Sequence, residues 1–130
     1  MSIVPSDLMY TKEHEWIKTD VSVVGDSKSA TMGITDFAQA ALGDIVYVQL
    51  PKVGQSVVAG QVCGEVESTK SVSEIFSPLT GTITAVNSQL DQAPESLNQD
   101  PYGSGWIAVI EYSLAPADVL TATEYELLTA

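Results

Sequence analysis

The sequence predicts a mainly β fold, a flattened barrel or sandwich of short strands, with a short helix after the first hairpin and a second helix at the C-terminus. Many short stretches rich in β-branched and aromatic residues alternate with glycine and proline turns, the pattern of a barrel or sandwich. Asp36 to Leu42 is bracketed by a helix-starting threonine and a helix-ending glycine. The tail changes character and opens on a capping-box pattern. At 130 residues the chain is most simply one domain, 1–130. A chain of this size buries about two-thirds of its unfolded surface, enough for its own core.

Taken in order, Tyr10 to Lys18 reads as a strand with a polar entry. Val21 to Val24 reads as a second strand, Gly25 to Lys28 as a turn, and Ser29 to Ile34 as the hairpin partner. Thr35 stands where an N-cap belongs and Gly43 where a C′ residue belongs, with about two helical turns between them. Ile45 to Leu50, stopped by Pro51, reads as a largely buried strand. Gly54, Gly60, Gly64 and Gly81 punctuate the short strands Ser56–Val58, Gln61–Cys63, Val72–Ser77 and Thr82–Val86. In Ser77-Pro78-Leu79-Thr80-Gly81 the proline presets φ and the glycine permits a positive φ. Pro94 to Asn98 fits one short helical turn, and Gly105 to Ile110 a further strand. Thr121-Ala122-Thr123-Glu124 starts the last helix, and Tyr125, Leu127 and Leu128 supply its apolar residues. There is no exact repeat, no low-complexity segment and no linker long enough for a second domain.

Composition narrows the function. Seventeen acidic residues against five lysines give a net charge of −12. With no basic patch to neutralise phosphates, nucleic acid and anionic membranes are disfavoured as partners. Basic docking surfaces are favoured instead. No apolar run approaches the roughly 18 residues that span a bilayer. Cys63 is the single cysteine, so no intramolecular disulfide forms. The first residues show neither a signal-peptide nor a transit-peptide pattern, which points to bacterial cytoplasm; an organellar matrix after processing is the alternative.

The inventory for catalysis is thin. The one histidine and the one cysteine lie far apart in sequence. Cys63 follows Val62 on an apolar strand and reads as a buried structural thiol. His14, between Glu13 and Glu15, reads as a surface or groove residue. Glu65 and Glu67 share a strand face, but with so many acids such pairs arise by chance. No zinc or calcium spacing is present, so the chain is expected to have neither catalytic nor metal-binding residues. Gly64-x-x-x-x-Thr69-Lys70-Ser71 approaches a phosphate-binding loop but lacks its second glycine. A strand pattern follows where a helix should, and Glu65 and Glu67 would repel phosphate.

Lys70 remains as a chemical handle. The polar residues Glu67 to Thr69 separate two strand-like stretches and the lysine ends that gap, at the tip of a hairpin. An exposed lysine amine at a tight, reproducible turn suits covalent attachment.

Its surroundings carry a resemblance. Gly60-x-x-x-Gly64-x-x-Glu67-Ser68-Thr69-Lys70-Ser71-Val72-Ser73-Glu74, then Ser77-Pro78-x-x-Gly81, resembles the swinging-arm hairpin of lipoyl and biotinyl carrier domains. Tyr10-Thr11-Lys12-Glu13-His14-Glu15-Trp16, Gly33-Ile34-Thr35-Asp36-Phe37-Ala38-Gln39 and Leu42-Gly43-Asp44-Ile45-Val46 narrow it. With Asn98-x-Asp100-Pro101-Tyr102-Gly103-x-Gly105-Trp106 and Glu124-Tyr125, they resemble the H protein family of the glycine cleavage system. The resemblance runs from about Tyr10 to Leu128. Thr69 and Ser71 depart from the flanks usual in that family, and they stand where biotin carriers have methionines, which favours lipoyl over biotinyl.

The resemblance implies a lipoyl/biotinyl-type fold and a non-catalytic carrier, with lipoic acid in amide linkage to Lys70. It implies an aminomethyl group from glycine, loaded by a pyridoxal-phosphate glycine decarboxylase (P) and unloaded by a tetrahydrofolate-dependent aminomethyltransferase (T). Dihydrolipoyl dehydrogenase (L) then reoxidises the arm, and a separate lipoate-attaching enzyme installs it. Glu67 and Gly81 match positions used in recognition by that attaching enzyme; Glu67 as a cap of the hairpin turn and Gly81 as a turn glycine are equally good readings. Glu15, Ile34, Leu42 and Glu74 match a groove that holds the arm. There Ile34 and Leu42 would cover its methylenes, and Glu15 or Glu74 would pair with the cargo's ammonium. The same carboxylates read also as solvated strand residues, and the two apolar side chains as ordinary core. A lipoyl relay, a 2-oxoacid dehydrogenase-type lipoyl carrier and an unmodified interaction module stay open as alternatives.

Overall fold

The computed structural model describes residues 3–20, 28–112 and 119–129. Among these, nine strands and three helices follow in chain order. They are β1 (Met9–Tyr10), β2 (Glu15–Asp20), β3 (Lys28–Ile34), α1 (Asp36–Leu42), β4 (Ile45–Gln49), β5 (Ser56–Val57), β6 (Val62–Ser68) and β7 (Val72–Phe76). Then come β8 (Gly81–Val86), α2 (Ser96–Gln99), β9 (Ala108–Tyr112) and α3 (Ala122–Thr129), with a 3-10 turn at Ser88–Asp91 that the sequence reading did not anticipate.

The strands form two open antiparallel sheets, ordered β1-β2-β3-β9-β8-β5 and β4-β6-β7. Ile17, Met32, Ile83 and Ile110 of the larger sheet and Ile45, Val48, Val66 and Ile75 of the smaller one are buried in one core. The expected mainly β fold is therefore found, as a sandwich rather than a closed barrel. Each such aliphatic side chain contributes about 1.5–3 kcal/mol on burial.

Both expected helices are present. Thr35 Oγ1 accepts from Ala38 N at 3.2 Å, and Gly43 closes α1 with φ 81°. The capping box of α3 is complete: Glu124 N donates to Thr121 Oγ1 at 3.2 Å, and Thr121 N to Glu124 Oε1 at 2.9 Å. Pro94–Asn98 corresponds to α2, displaced to Ser96–Gln99.

Several expectations are corrected. The stretch Tyr10–Lys18 is not one strand. It turns between β1 and β2, where Thr11 N donates to Glu15 O and His14 N to Thr11 O, and His14 takes a left-handed φ of 71°. The hairpin partner of Ser29–Ile34 is β2, with Asp20 opposite Ser29 and Glu15 opposite Ile34. The strand expected at Val21–Val24 lies outside the described residues, as does most of the turn after it.

Gly64 does not end a strand. It lies inside β6, at a register shift, where a Cβ would stand 2.5 Å from the Gln49 carbonyl. Gly81 needs no positive φ; a Cβ there would run into the Glu111 carbonyl oxygen, so close backbone approach selects glycine. Strand β4 is half-exposed rather than largely buried. Ile45 and Val48 face the core, while Val46 and Tyr47 are 54% and 49% exposed because the small sheet has a solvent face. The last strand starts later than expected, at Ala108, since Trp106 N donates to the Gly103 carbonyl in a turn.

Candidate functional site

The loop between β6 and β7 is Thr69-Lys70-Ser71, and both its flanks are set by sequence. Cys63 and Val66 on one strand and Ile75 on the other anchor the hairpin in the core. Glu67 lies opposite Val72, so the ladder runs to the foot of the loop. Ser68, not Glu67, caps the turn. Its Oγ accepts from Lys70 N at 3.2 Å and Ser71 N at 3.1 Å, and its N–H donates to Ser71 O at 2.8 Å. A side-chain hydroxyl that bonds the backbone two and three residues on holds a turn in one shape. Lys70 is exposed at its tip.

A second contact fixes the loop from below. Thr69 N donates to the Asp44 carbonyl at 3.0 Å, which brings the tip over the corner after α1. That corner is held by Asn98. Its Nδ2 donates to Gly43 O at 2.8 Å and to Gln39 Oε1 at 3.0 Å, and its Oδ1 accepts from Ile45 N at 2.9 Å. The Lys70 side chain lies against Gly43 there.

Glu15 is the most unusual carboxylate. It is 2% exposed. Thr11 Oγ1 donates to its Oε1 at 2.7 Å, and the Phe76 backbone also favours its charged form. Burial outweighs these bonds and pushes its pKa up to about 7. The solvated reading of Glu15 is thereby overturned. Glu74 is the opposite case: exposed on β7, across from Glu65.

Ile34 stands opposite Glu15 in the β2–β3 ladder and is buried. Leu42 is partly buried against the same core. Thr11, Lys12, Glu13, Ala59, Gly60, Ser77 and Pro78 line a cavity of about 320 Å³, beside Glu15 through Thr11 and the β7 end. The structure thus sets Glu15 opposite Ile34, packs Leu42 against the same core, and brings Lys70 over Gly43, next to Leu42 in the chain. Glu67 sits at the foot of the hairpin, in the small sheet. Gly81 belongs to the other sheet, opposite Val57.

His14 is half-buried. Its Nδ1 lies 2.8 Å from the Tyr125 hydroxyl, which is also 2.7 Å from Thr35 Oγ1. This relay ties α3 to the start of α1, next to Glu15. Burial lowers the His14 pKa. The Cys63 thiol is buried and pushed up to about 11, chiefly by burial, so it is an inert core group. Among the described residues no group of three or more His, Cys, Asp or Glu side chains could hold a metal ion. No helix there is long and apolar enough to cross a membrane.

Comparison with known proteins shows the family. The family model described as "Glycine cleavage H-protein" matches residues 8–129. The chain belongs to the glycine cleavage H-protein family. A glycine cleavage system H protein of Beutenbergia cavernae is 52% identical over 127 residues, covering 98% of this chain and 97% of that one. One from Herpetosiphon aurantiacus is 50% identical over 126 residues, covering 97% and 93%. The crystal structure of a glycine cleavage system H protein from Mycobacterium marinum superposes with a TM-score of 0.84 at 45% identity. It covers 94% of this chain and 95% of that one.

This H-protein-family chain is a carrier in glycine cleavage, not an enzyme. Three roles in the site escaped sequence reading. Asn98 acts on a partner 53 residues away, Thr11 on the buried Glu15, and Gly43, read only as a helix end, also by its contact with Lys70.

Proposed function

We propose that Lys70 is the lipoate attachment point of this carrier. The observation that carries the reading is an exposed lysine at the tip of a hairpin fixed by Ser68 and by the Thr69–Asp44 bond. The fit is good: the amine is reachable, and its turn is held in one shape for a modifying enzyme. Acylation would remove one positive charge and take the chain from −12 to −13. When attached, lipoate supplies a dithiolane whose sulfurs take up and release the carried group.

The chain's own residues would hold the arm and shield its cargo. Ile34 and Leu42 would cover methylenes; about three of them contribute roughly 2.4 kcal/mol. Glu15 is better suited than Glu74 to pair with an ammonium. It is buried, already oriented by Thr11, and has no cation of its own among the described residues; an incoming ammonium would favour its charged form. Such an interaction is sufficient to retain the arm and weak enough for a docked enzyme to withdraw it. Glu67 and Gly81 would serve recognition by the lipoate-attaching enzyme, with Glu67 at the foot of the hairpin.

The partners would be the glycine decarboxylase, the aminomethyltransferase, dihydrolipoyl dehydrogenase and the attaching enzyme. The acidic surface suits basic docking faces on them. The matched span of 8–129 supports action as one lipoyl-carrier unit over 1–130. Bacterial relatives support a cytoplasmic setting. The test is reconstitution with purified decarboxylase and glycine. Lipoylated protein should support glycine decarboxylation and carboxyl exchange, and Lys70→Arg should not. Equal activity of the two proteins would overturn the assignment.

A further inference from the structure

Gly43 sits where α1 ends, with φ 81° and ψ −156°, in a backbone region nearly closed to other residues. A Cβ built there would stand 3.3 Å from Lys70 Cε, 3.6 Å from Cδ and 3.7 Å from Nζ. The lysine stem therefore lies against position 43: a Cβ there would crowd Cε by a few tenths of an ångström and meet Cδ and Nζ at ordinary contact distance. Asn98 holds this corner on both sides, through Gly43 O and Ile45 N, and Thr69 N binds Asp44 O. Lys70 and the surface it crosses are thus fixed in one frame. Two other left-handed glycines make the contrast: Gly54 at φ 90° and Gly60 at φ 86° have nothing within 4 Å of such a Cβ. Turn geometry alone accounts for those glycines. At Gly43 there is a second feature, a close contact with the stem.

From this we infer that Gly43 is a positioning residue for the carrier arm, a saddle over which the Lys70 stem crosses the end of α1 toward Leu42. This rests on Lys70 being the attachment point, since the amide leaves the same four-methylene stem in place. Gly43 acts through Lys70 and touches no reacting atom. A side chain there would lift the stem and change where the arm's far end lies, without altering the lysine's chemistry.

The experiment uses lysine-labelled protein, unmodified and lipoylated, in the wild type, Gly43→Ala and Gly54→Ala. The last variant carries left-handed strain without the contact. Nuclear Overhauser contacts between the Lys70 ε-methylene and the Gly43 α-protons should appear in wild type and Gly54→Ala. In Gly43→Ala the contact from the ε-methylene to the α-proton at position 43 should be lost. Release of the loaded aminomethyl group should be several-fold faster in Gly43→Ala than in either other protein, while Gly43→Ala and Gly54→Ala share a lowered thermal midpoint. Absence of the contact in folded wild-type protein overturns the inference, whether or not Gly43→Ala folds. So does cargo release from Gly43→Ala equal to that from Gly54→Ala. Failure of lipoate to attach at Lys70 instead overturns the carrier assignment, and the contact in unmodified protein still decides whether the stem lies on Gly43.

Discussion

Thr11 donates its hydroxyl to Oε1 of Glu15 across 2.7 Å, inside a turn that buries the carboxyl almost completely. The bond from Thr11 and the Phe76 backbone do not offset desolvation, which pushes the pKa up to about 7 from 4.5. Between those values the folded protein holds a proton that the unfolded chain has released. Stability from this group therefore falls as pH rises from 4.5 to about 7. Glu15→Gln should match wild type below pH 4.5 and exceed it above pH 7, by on the order of 3 kcal/mol. Denaturant titrations of both proteins across that range measure it. Taking the difference removes the contribution of His14, whose lowered pKa acts with the opposite sign below about pH 6.5. Equal stability of the two proteins at about pH 8 would contradict a desolvated Glu15.

Glu15→Gln should also release the loaded aminomethyl group faster than Glu74→Gln. The first side chain is buried beside the proposed groove, and the second is exposed across from Glu65. Single-turnover release from the isolated loaded protein makes the comparison. Unchanged release from Glu15→Gln would remove that carboxylate from the role.

Tyr125→Phe should lower stability by about 1–3 kcal/mol, because His14 and Thr35 each lose a buried partner at 2.8 and 2.7 Å. Stacking of the ring on Tyr10, 4.7 Å between centroids, is kept by phenylalanine. Thermal unfolding reads the loss, and it should be smaller in Leu127→Ala, which truncates an exposed side chain.

Asn98→Ala leaves Gly43 O and Ile45 N without their side-chain partner, and should cost about 1–3 kcal/mol. Amide hydrogen exchange at Ile45 should accelerate relative to strands of the larger sheet. Protection unchanged at Ile45 would show that the corner does not depend on Asn98.

Gly81→Ala separates two roles for one glycine. A methyl group driven into the Glu111 carbonyl forces β8 and β9 apart, at a cost of roughly 1–3 kcal/mol or more. The thermal midpoint of unmodified protein should therefore drop. A variant of native stability that nonetheless fails to be lipoylated would assign Gly81 to recognition alone.

Much of this molecule was legible in its sequence where the signal is local. Thr35 and Gly43 framed α1, and Thr121 and Glu124 capped α3, because capping chemistry acts over three or four residues. Lys70 stood out because a hairpin tip is defined by its immediate neighbours. What failed was long-range. Gly64 reads as a turn residue until Gln49 O is seen 2.5 Å from its missing Cβ. Tyr47 and Val46 read as core until the small sheet is seen to have one solvent face. The burial of Glu15 could not be read from Glu13-His14-Glu15, since it depends on the turn at Thr11 and on Phe76 from another sheet.

Attachment at Lys70 is the property on which the carrier role depends. Protein produced in cells supplied with lipoate, or treated with a lipoate ligase, should gain the mass of one lipoyl group in intact-mass measurement. Fragmentation should place that mass on Lys70, and Lys70→Arg should remain unmodified. A wild-type protein that stays unmodified under both treatments, or carries the group on another lysine, would contradict it.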